Sequence, residues 1–335
     1  MANTSIVVCG QKFNIGTRVV LWDESNGLNG YDTSQYVTKT QDRRTGQTAK
    51  VVVQGVRYSK RTWRKKPNLK QLQAIVSQFF LHHSGLYRAK TTFHVLHNQR
   101  RLSVHFILDD NGVIYQTLDL REKAWHGGGN NPMSVGIEID SRAHASRFPD
   151  AYDEAHCKKY GVLPRRKRID YVQKRWMKGY EYNDKQYEAL IKLAIALKKV
   201  FPKMGSMQFP TNSKGRVLKH IISKPKKHAG LICHYNNSKS KNDPIALDHY
   251  RLLRGIKYNN PNQGSSFLVA EAWVDRQEWL QALGYNPGPV DGLFGKKTKS
   301  AVKAFQDDTG LSPDGVWGKK TEYMMDLVTK EKGLR

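Results

Sequence analysis

An eight-residue block recurs near the end of the chain: DGLFGKKT at 291–298 returns as DGVWGKKT at 314–321. A unit this short cannot bury an apolar face alone, so the copies must stack on each other and on a leading helix. VDRQEWLQALGY supplies that helix through Val274, Trp279, Leu280 and Leu283. KSAVKAFQDDTGL, between the copies, reads as a second amphipathic helix through Ala301, Val302, Phe305 and Gln306. In each copy Asp-Gly makes a turn, the aromatic or apolar residue packs, and the Thr is placed to cap the next helix. Residues 267–335 are therefore expected to form a small three-helix module. The polar stretch 258–266, with its Gly and Pro, reads as the linker before it.

The chain upstream carries longer signals. NDKQYEALIKLAIALKKVFP (183–202) predicts a helix, with Asn183 or Asp184 as cap, an apolar stripe from Tyr187 to Leu197, and Pro202 past its end. SVHFILDDNGVIYQTL (103–118) predicts a hairpin turning at DDNG. SVGIEID (134–140) and GLICH (230–234) read as further short strands. Strands and helices alternate without a steady crossover rhythm, so the expected class is α/β, a mixed central sheet flanked by helices. The larger domain is expected over 71–257. Residues 1–70 form a β-rich segment that could stand alone or belong to it.

Charge narrows the partners. The 335 residues carry a formal net charge of +27, which calls for an anionic partner: nucleic acid, a membrane surface or an acidic bacterial envelope. No nucleic-acid motif accompanies the charge, so a specific nucleic-acid role rests on nothing else. Three scattered cysteines, Cys9, Cys157 and Cys233, offer neither a disulfide framework nor a cysteine-based zinc spacing. The start MANTSIVVCGQ lacks a basic region followed by an apolar stretch, so no leader is expected. No run approaches the roughly 18–20 apolar residues of a membrane span. Synthesis as a soluble chain in the cytoplasm is the expectation.

FFLHHSG (79–85) poses the chemical question. Neighbouring side chains on a strand face opposite ways, so His82 and His83 cannot share one task. With 12 histidines in the chain, one alone signifies little. Two apolar runs, however, end on an imidazole: 79–81 at His82 and GLIC at His234. CHYNNSKSKNDP then offers Asp243 across a loop long enough to fold inward. Two histidines and a carboxylate with a fourth position open make a catalytic zinc site.

The motifs LHHSG, SVHFILDDNGVIYQTLDLREKAWHGGGNN, SVGIEID, NDKQYEAL and CHYNNSKSKNDP, in that order over about 71–250, resemble the zinc-dependent N-acetylmuramoyl-L-alanine amidases, whose fold is shared with peptidoglycan recognition proteins. LGYNPGPVDGLFGKKTKSAVKAFQ resembles the peptidoglycan-binding module of cell-wall hydrolases. The resemblance implies zinc held by His82, His234 and Asp243, with Glu138 as catalytic carboxylate and Lys241 as catalytic lysine. It brings His105 and His126 to the cleft, as substrate-contacting or orienting residues. The implied activity is cleavage of the bond between N-acetylmuramic acid and L-alanine, and the layout resembles a phage endolysin made in an infected host and acting on the wall. The rival is a receptor that binds peptidoglycan without cutting it. Family members commonly carry Gly after the Asp-Pro, where this chain has Ile245. The stretches 144–180 and 203–229 look like basic insertions, whose Lys and Arg interleaved with aromatics suggest a grip on anionic envelope polymers.

Overall fold

The computed structural model describes residues 2–33, 36–41, 45–53, 55–61, 66–213, 217–258, 268–290, 292–332 and 334. The linker expected at 258–266 lies outside them except for Tyr258. Before that point the chain is organised by a six-stranded sheet in the order Gly230–Cys233, Gln78–His83, Ser134–Ile139, Phe106–Leu108, Ile114–Gln116, Val19–Leu21. The first four strands run parallel to their neighbours. Phe106–Leu108 and Ile114–Gln116 are antiparallel, joined through the expected turn, and Val19–Leu21 closes the edge parallel to Ile114–Gln116. The sheet is mixed, as the alternating elements implied.

One face of this sheet is sealed by the helix Asp184–Val200. Asn183 caps it and Gln186 returns the bond to the cap backbone, a reciprocal pair that satisfies two otherwise orphaned donors. Its buried Tyr187, Leu190, Ala194 and Leu197 join Phe79, Leu81, Val135, Ile137 and Leu231 in one core. These strand residues alternate along the chain, so Phe80, His82, Gly136 and Glu138 are left for the opposite face. The N-terminal segment enters the same core through Ile6 and Val8, and Gln116 bonds both backbone groups of Val7 at 2.8 Å. Among the described residues no helix is long and apolar enough to cross a membrane.

The basic stretch 144–180 folds differently from expectation. Its core is a hairpin, Lys167–Val172 with Arg175–Tyr180, and two of its arginines turn inward. Arg165 pairs with Asp110, and Arg168, only 8% exposed, faces Glu181, Asp248, Asp275 and Glu278 at 3.3–3.7 Å. Lys219, from the second basic stretch, bonds Asp170 at 2.6 Å and reaches Glu278 at 3.4 Å. A guanidinium's forked donors suit convergent carboxylates, and the partners lie far away in sequence. These cations are internal ties rather than a grip on a polymer.

Asp275 and Glu278 belong to the last unit, so the same ties dock it on the hairpin. That unit has helices Leu268–Ala282, Lys296–Asp308 and Lys319–Glu331 around Leu280, Ala301, Val302, Phe305 and Met325. The repeat reappears as a repeated polar clasp. Gln277 accepts from the Gly292 amide and donates to the Leu293 carbonyl, both at 2.9 Å. Gln306 does the same for Gly315 and Val316 at 2.8 and 2.9 Å. Thr298 and Thr321 do not cap the helices. Gly295 and Gly318 hold the cap positions, and the threonines are buried against these clasps.

Candidate metal centre and active-site cleft

Parallel pairing puts the C-terminal ends of three strands on one sheet edge. Glu138 lies beside His82 in register, and Cys233 lies beside Leu81, so His234 emerges level with His82. The loop after the His234–Asn237 turn then returns Asp243 to the same point. His82 Nδ1 stands 3.1 Å from His234 Nδ1 and 3.2 Å from Asp243 Oδ2, and His234 Nδ1 lies 3.0 Å from the same oxygen. Donors about 2.0–2.1 Å from a shared tetrahedral metal would stand roughly 3.3 Å apart. The triangle therefore has the size and chemistry of three ligands of one ion, two imidazoles and a carboxylate. Among the described residues this is the cluster of His, Cys, Asp and Glu suited to a metal.

Electrostatics favour the same state. Burial holds the His82 imidazole down to about 4, so it is neutral with a lone pair free near neutral pH. Burial alone would raise the Asp243 carboxyl, but its contacts with His234 and His82 outweigh it and keep its pKa well below the carboxylate range. Both groups thus sit in the protonation state that ligands require.

Behind His82 lies a relay. Its Nε2 is 3.1 Å from His126 Nδ1, and His126 Nε2 is 3.3 Å from Ser134 Oγ. With His82 using Nδ1 toward the metal, the remaining protons run outward in order, from His82 to His126 and from His126 to Ser134. The ring of His126 fits because position 136 is glycine, since a Cβ there would lie 2.5 Å from Cε1. Gly127 in turn lies close against the Phe80 ring, where a Cβ would come within 2.9 Å of Cε2. His105 does not reach the cleft. It is fully buried, its Nδ1 accepts from the Gly136 amide at 3.0 Å, and its Nε2 meets the Glu122 carbonyl at 3.0 Å. A substrate contact expected there is excluded by burial, and His105 is left holding the strand beneath His126. His83 also lines the cleft but stands apart from the cluster, its Nδ1 accepting from the Ile245 amide at 3.4 Å and its ring edge-on to His144. Ile245 is itself buried in the core.

The cluster opens into a cleft of about 110 Å³ that Glu138 and Lys241 also line. Glu138 is 8% exposed and its Oε2 has no hydrogen-bond partner. Burial first, then the nearby Asp243 and Asp140 carboxylates, push its pKa well above the ordinary value. A carboxyl with a high proton affinity and a vacant oxygen beside the His82, His234 and Asp243 cluster suits proton transfer. Leu96, Leu102 and Trp125 make an apolar wall, and Arg100 stands at the rim. The sequence signalled neither Arg100 nor the wall, because nothing local sets them apart.

Gln173 was also missed. At the tip of the Lys167–Tyr180 hairpin, its amide nitrogen donates to the carbonyls of Tyr235, Ser238 and Lys241 at 3.0, 2.8 and 3.0 Å. It therefore clamps the segment that carries Lys241 and leads to Asp243. Gln173 and Lys174 both have positive φ, 51° and 61°, a strained turn for residues with side chains. Asn-Gly would have announced such a turn, and Gln-Lys does not.

Comparison with known proteins places residues 71–246, more than half the chain, under the family model described as N-acetylmuramoyl-L-alanine amidase. Residues 270–325 match a peptidoglycan binding domain. A stretch of 54 residues is 47% identical to an uncharacterised protein of Kitasatospora aureofaciens, covering 16% of this chain and 46% of that protein. A stretch of 57 residues is 40% identical to the spore cortex-lytic enzyme of Bacillus cereus, covering 17% of this chain and 22% of the enzyme. The chain thus spans less than half the length of these curated relatives. Among solved structures, AmpDh3 of Pseudomonas aeruginosa in complex with anhydromuramic pentapeptide is similar over 88% of this chain and 98% of that one, with 15% identity and a TM-score of 0.36.

Proposed function

Because the chain belongs to the N-acetylmuramoyl-L-alanine amidase family, we propose that it is a zinc-dependent peptidoglycan hydrolase cutting the amide between N-acetylmuramic acid and L-alanine. The observation that carries this is the triangle of His82, His234 and Asp243 donors, 3.0–3.2 Å on each side, beside the unpartnered oxygen of Glu138. Zinc held by those three residues would supply Lewis acidity toward the scissile carbonyl and a water of lowered pKa. Glu138 takes the water proton as the carbonyl is attacked and delivers it to the departing alanine nitrogen. Lys241 supplies positive charge where negative charge develops on the carbonyl oxygen. His126 keeps His82 in the tautomer that leaves Nδ1 free.

The chain divides, on this proposal, into the catalytic domain 71–257 with 1–70 packed into its core, a linker at 258–266 and a wall-binding domain at 267–335. One catalytic and one binding unit with a charge of +27 suit a phage endolysin, released to act on its host's wall. Mass spectrometry of muropeptides after digestion tests the activity. The expected products are free stem peptides with an L-alanine amino terminus and glycan left intact. A chain that binds walls and releases no peptide at any zinc concentration would instead be the non-catalytic receptor.

A further inference from the structure

A second hollow adjoins the cleft. An open groove of about 580 Å³ runs between the hairpin tip and the loop 239–242, and Lys241 lines both this groove and the cleft. Lys174, Arg175 and Lys239 line it as well, all three exposed, and no carboxylate does. By contrast, Arg165, Arg168 and Lys219 are paired with acids. Among the described residues, no acid forms an ion pair with Lys174, Arg175, Lys239 or Lys241. Leu96, Leu102 and Trp125 line the cleft, beside Arg100, and none of them lines the groove.

We propose that this groove receives the stem peptide of the substrate through its carboxylates, so that the neutral sugar lies on the Trp125 side. The inference rests on the amidase activity proposed above. The scissile amide joins an uncharged N-acetyl sugar, on its lactyl ether, to a peptide bearing carboxylates. The two hollows differ in a related way: the cleft carries Leu96, Leu102 and Trp125 besides Arg100, whereas the charged groups of the groove are cations alone. A molecule bound at the metal cluster continues past Lys241 into the groove, and only its peptide half carries charge to match. The Gln173 clamp fixes the two walls of the groove relative to each other, so the cations are held around a defined hollow.

The test uses the full chain with zinc and two soluble N-acetylmuramoyl peptides, one with free stem carboxylates and one with those carboxylates amidated. The variant combines Lys174→Gln, Arg175→Gln and Lys239→Gln, none of which is assigned to the chemistry. For the free-acid substrate its KM should rise roughly 10-fold with kcat nearly unchanged, the sum of several exposed charge contacts. For the amidated substrate KM should move less than about 2-fold. In the unsubstituted chain the free-acid substrate should show the lower KM, and added salt should erase the difference. Equal KM changes for both substrates, or none, would overturn the groove assignment while leaving the activity intact. So would a variant that loses polyphosphate binding yet keeps its KM for the free-acid peptide, since the groove would then serve a phosphate polymer. If the unsubstituted chain cleaves neither substrate, it is the activity proposal that fails.

Discussion

Glu138 has one oxygen without a partner, and a buried polar atom left unsatisfied costs stability unless function retains it. Glu138→Gln keeps the shape and removes the proton acceptor. Bound zinc should persist while turnover falls about 10²–10⁴-fold, the usual contribution of a positioned acid–base group. Metal analysis together with peptide release checks both halves, and a near-normal rate would move the base elsewhere. His126 acts one bond further out. His126→Ala leaves the His82 Nε2 proton without its acceptor 3.1 Å away, so zinc affinity should fall about 10–100-fold. Competition titration with a chelating dye measures this without reference to activity. Unchanged affinity would leave His126 a wall of the cleft and nothing more.

At the scale of elements, the hairpin Lys167–Val172 with Arg175–Tyr180 joins two ends of the molecule. Its base holds the last unit through Arg168, and its tip holds the metal-site loop through Gln173. Midway, Asp170 accepts from the Ala246 amide at 2.9 Å, three residues beyond Asp243, and also bonds Lys219. Gln173→Ala removes the donor shared by three carbonyls and should cost about 1–2 kcal/mol in denaturant unfolding. Because those carbonyls belong to the segment leading to Asp243, zinc affinity should fall with it. Lost stability with unaltered zinc affinity would make the clamp a brace for the fold alone.

For the molecule as a whole, the docking cluster sets the buried Arg168 and Lys219, with the exposed Arg166 on Glu181, among five carboxylates: Asp170, Glu181, Asp248, Asp275 and Glu278. The excess of negative charge makes the two sides unequal. Arg168→Met should cost about 3–5 kcal/mol, because it strands several acids in a buried site. Glu278→Gln should cost much less. Burial raises the Glu278 pKa above its ordinary 4.5, with Asp170 and Asp275 adding to the rise against Lys219 and Arg168. The folded chain therefore binds this proton more tightly than the unfolded one. Its contribution is full below about 4.5 and is lost as pH rises through the elevated folded value. Glu278→Gln has no such proton, so its melting temperature should fall less over that window than that of the unsubstituted chain. Parallel melting curves would show that Glu278 is ionised throughout.

Much of this was legible where a signal and its structural consequence lie close together in sequence. The DDNG turn and the Asn183–Gln186 cap act within a few residues and each formed, and the repeat reappears as the Gln277 and Gln306 clasps. Alternation along one strand was enough to send His82 and His83 to opposite faces. The cluster of His82, His234 and Asp243 was visible for a related reason: a histidine ending an apolar run is a local pattern, and parallel pairing carries such ends to one sheet edge. Partners distant in sequence were not visible. A run such as RRKR looks the same whether it meets water or acid, and only docking of the last unit brought Asp275 and Glu278 to Arg168. Likewise His105 and His126 are equal as letters, and depth within the sheet made one of them structural and set the other behind His82. The sequence by itself determined the strands, helices and turns whose signals lie among neighbours, but not the hairpin Lys167–Val172 with Arg175–Tyr180, whose Gln173–Lys174 tip is held by distant carbonyls. The tertiary structure alone decided which charges are spent internally and which remain for a ligand, because a charge is neutralised by whatever packs against it.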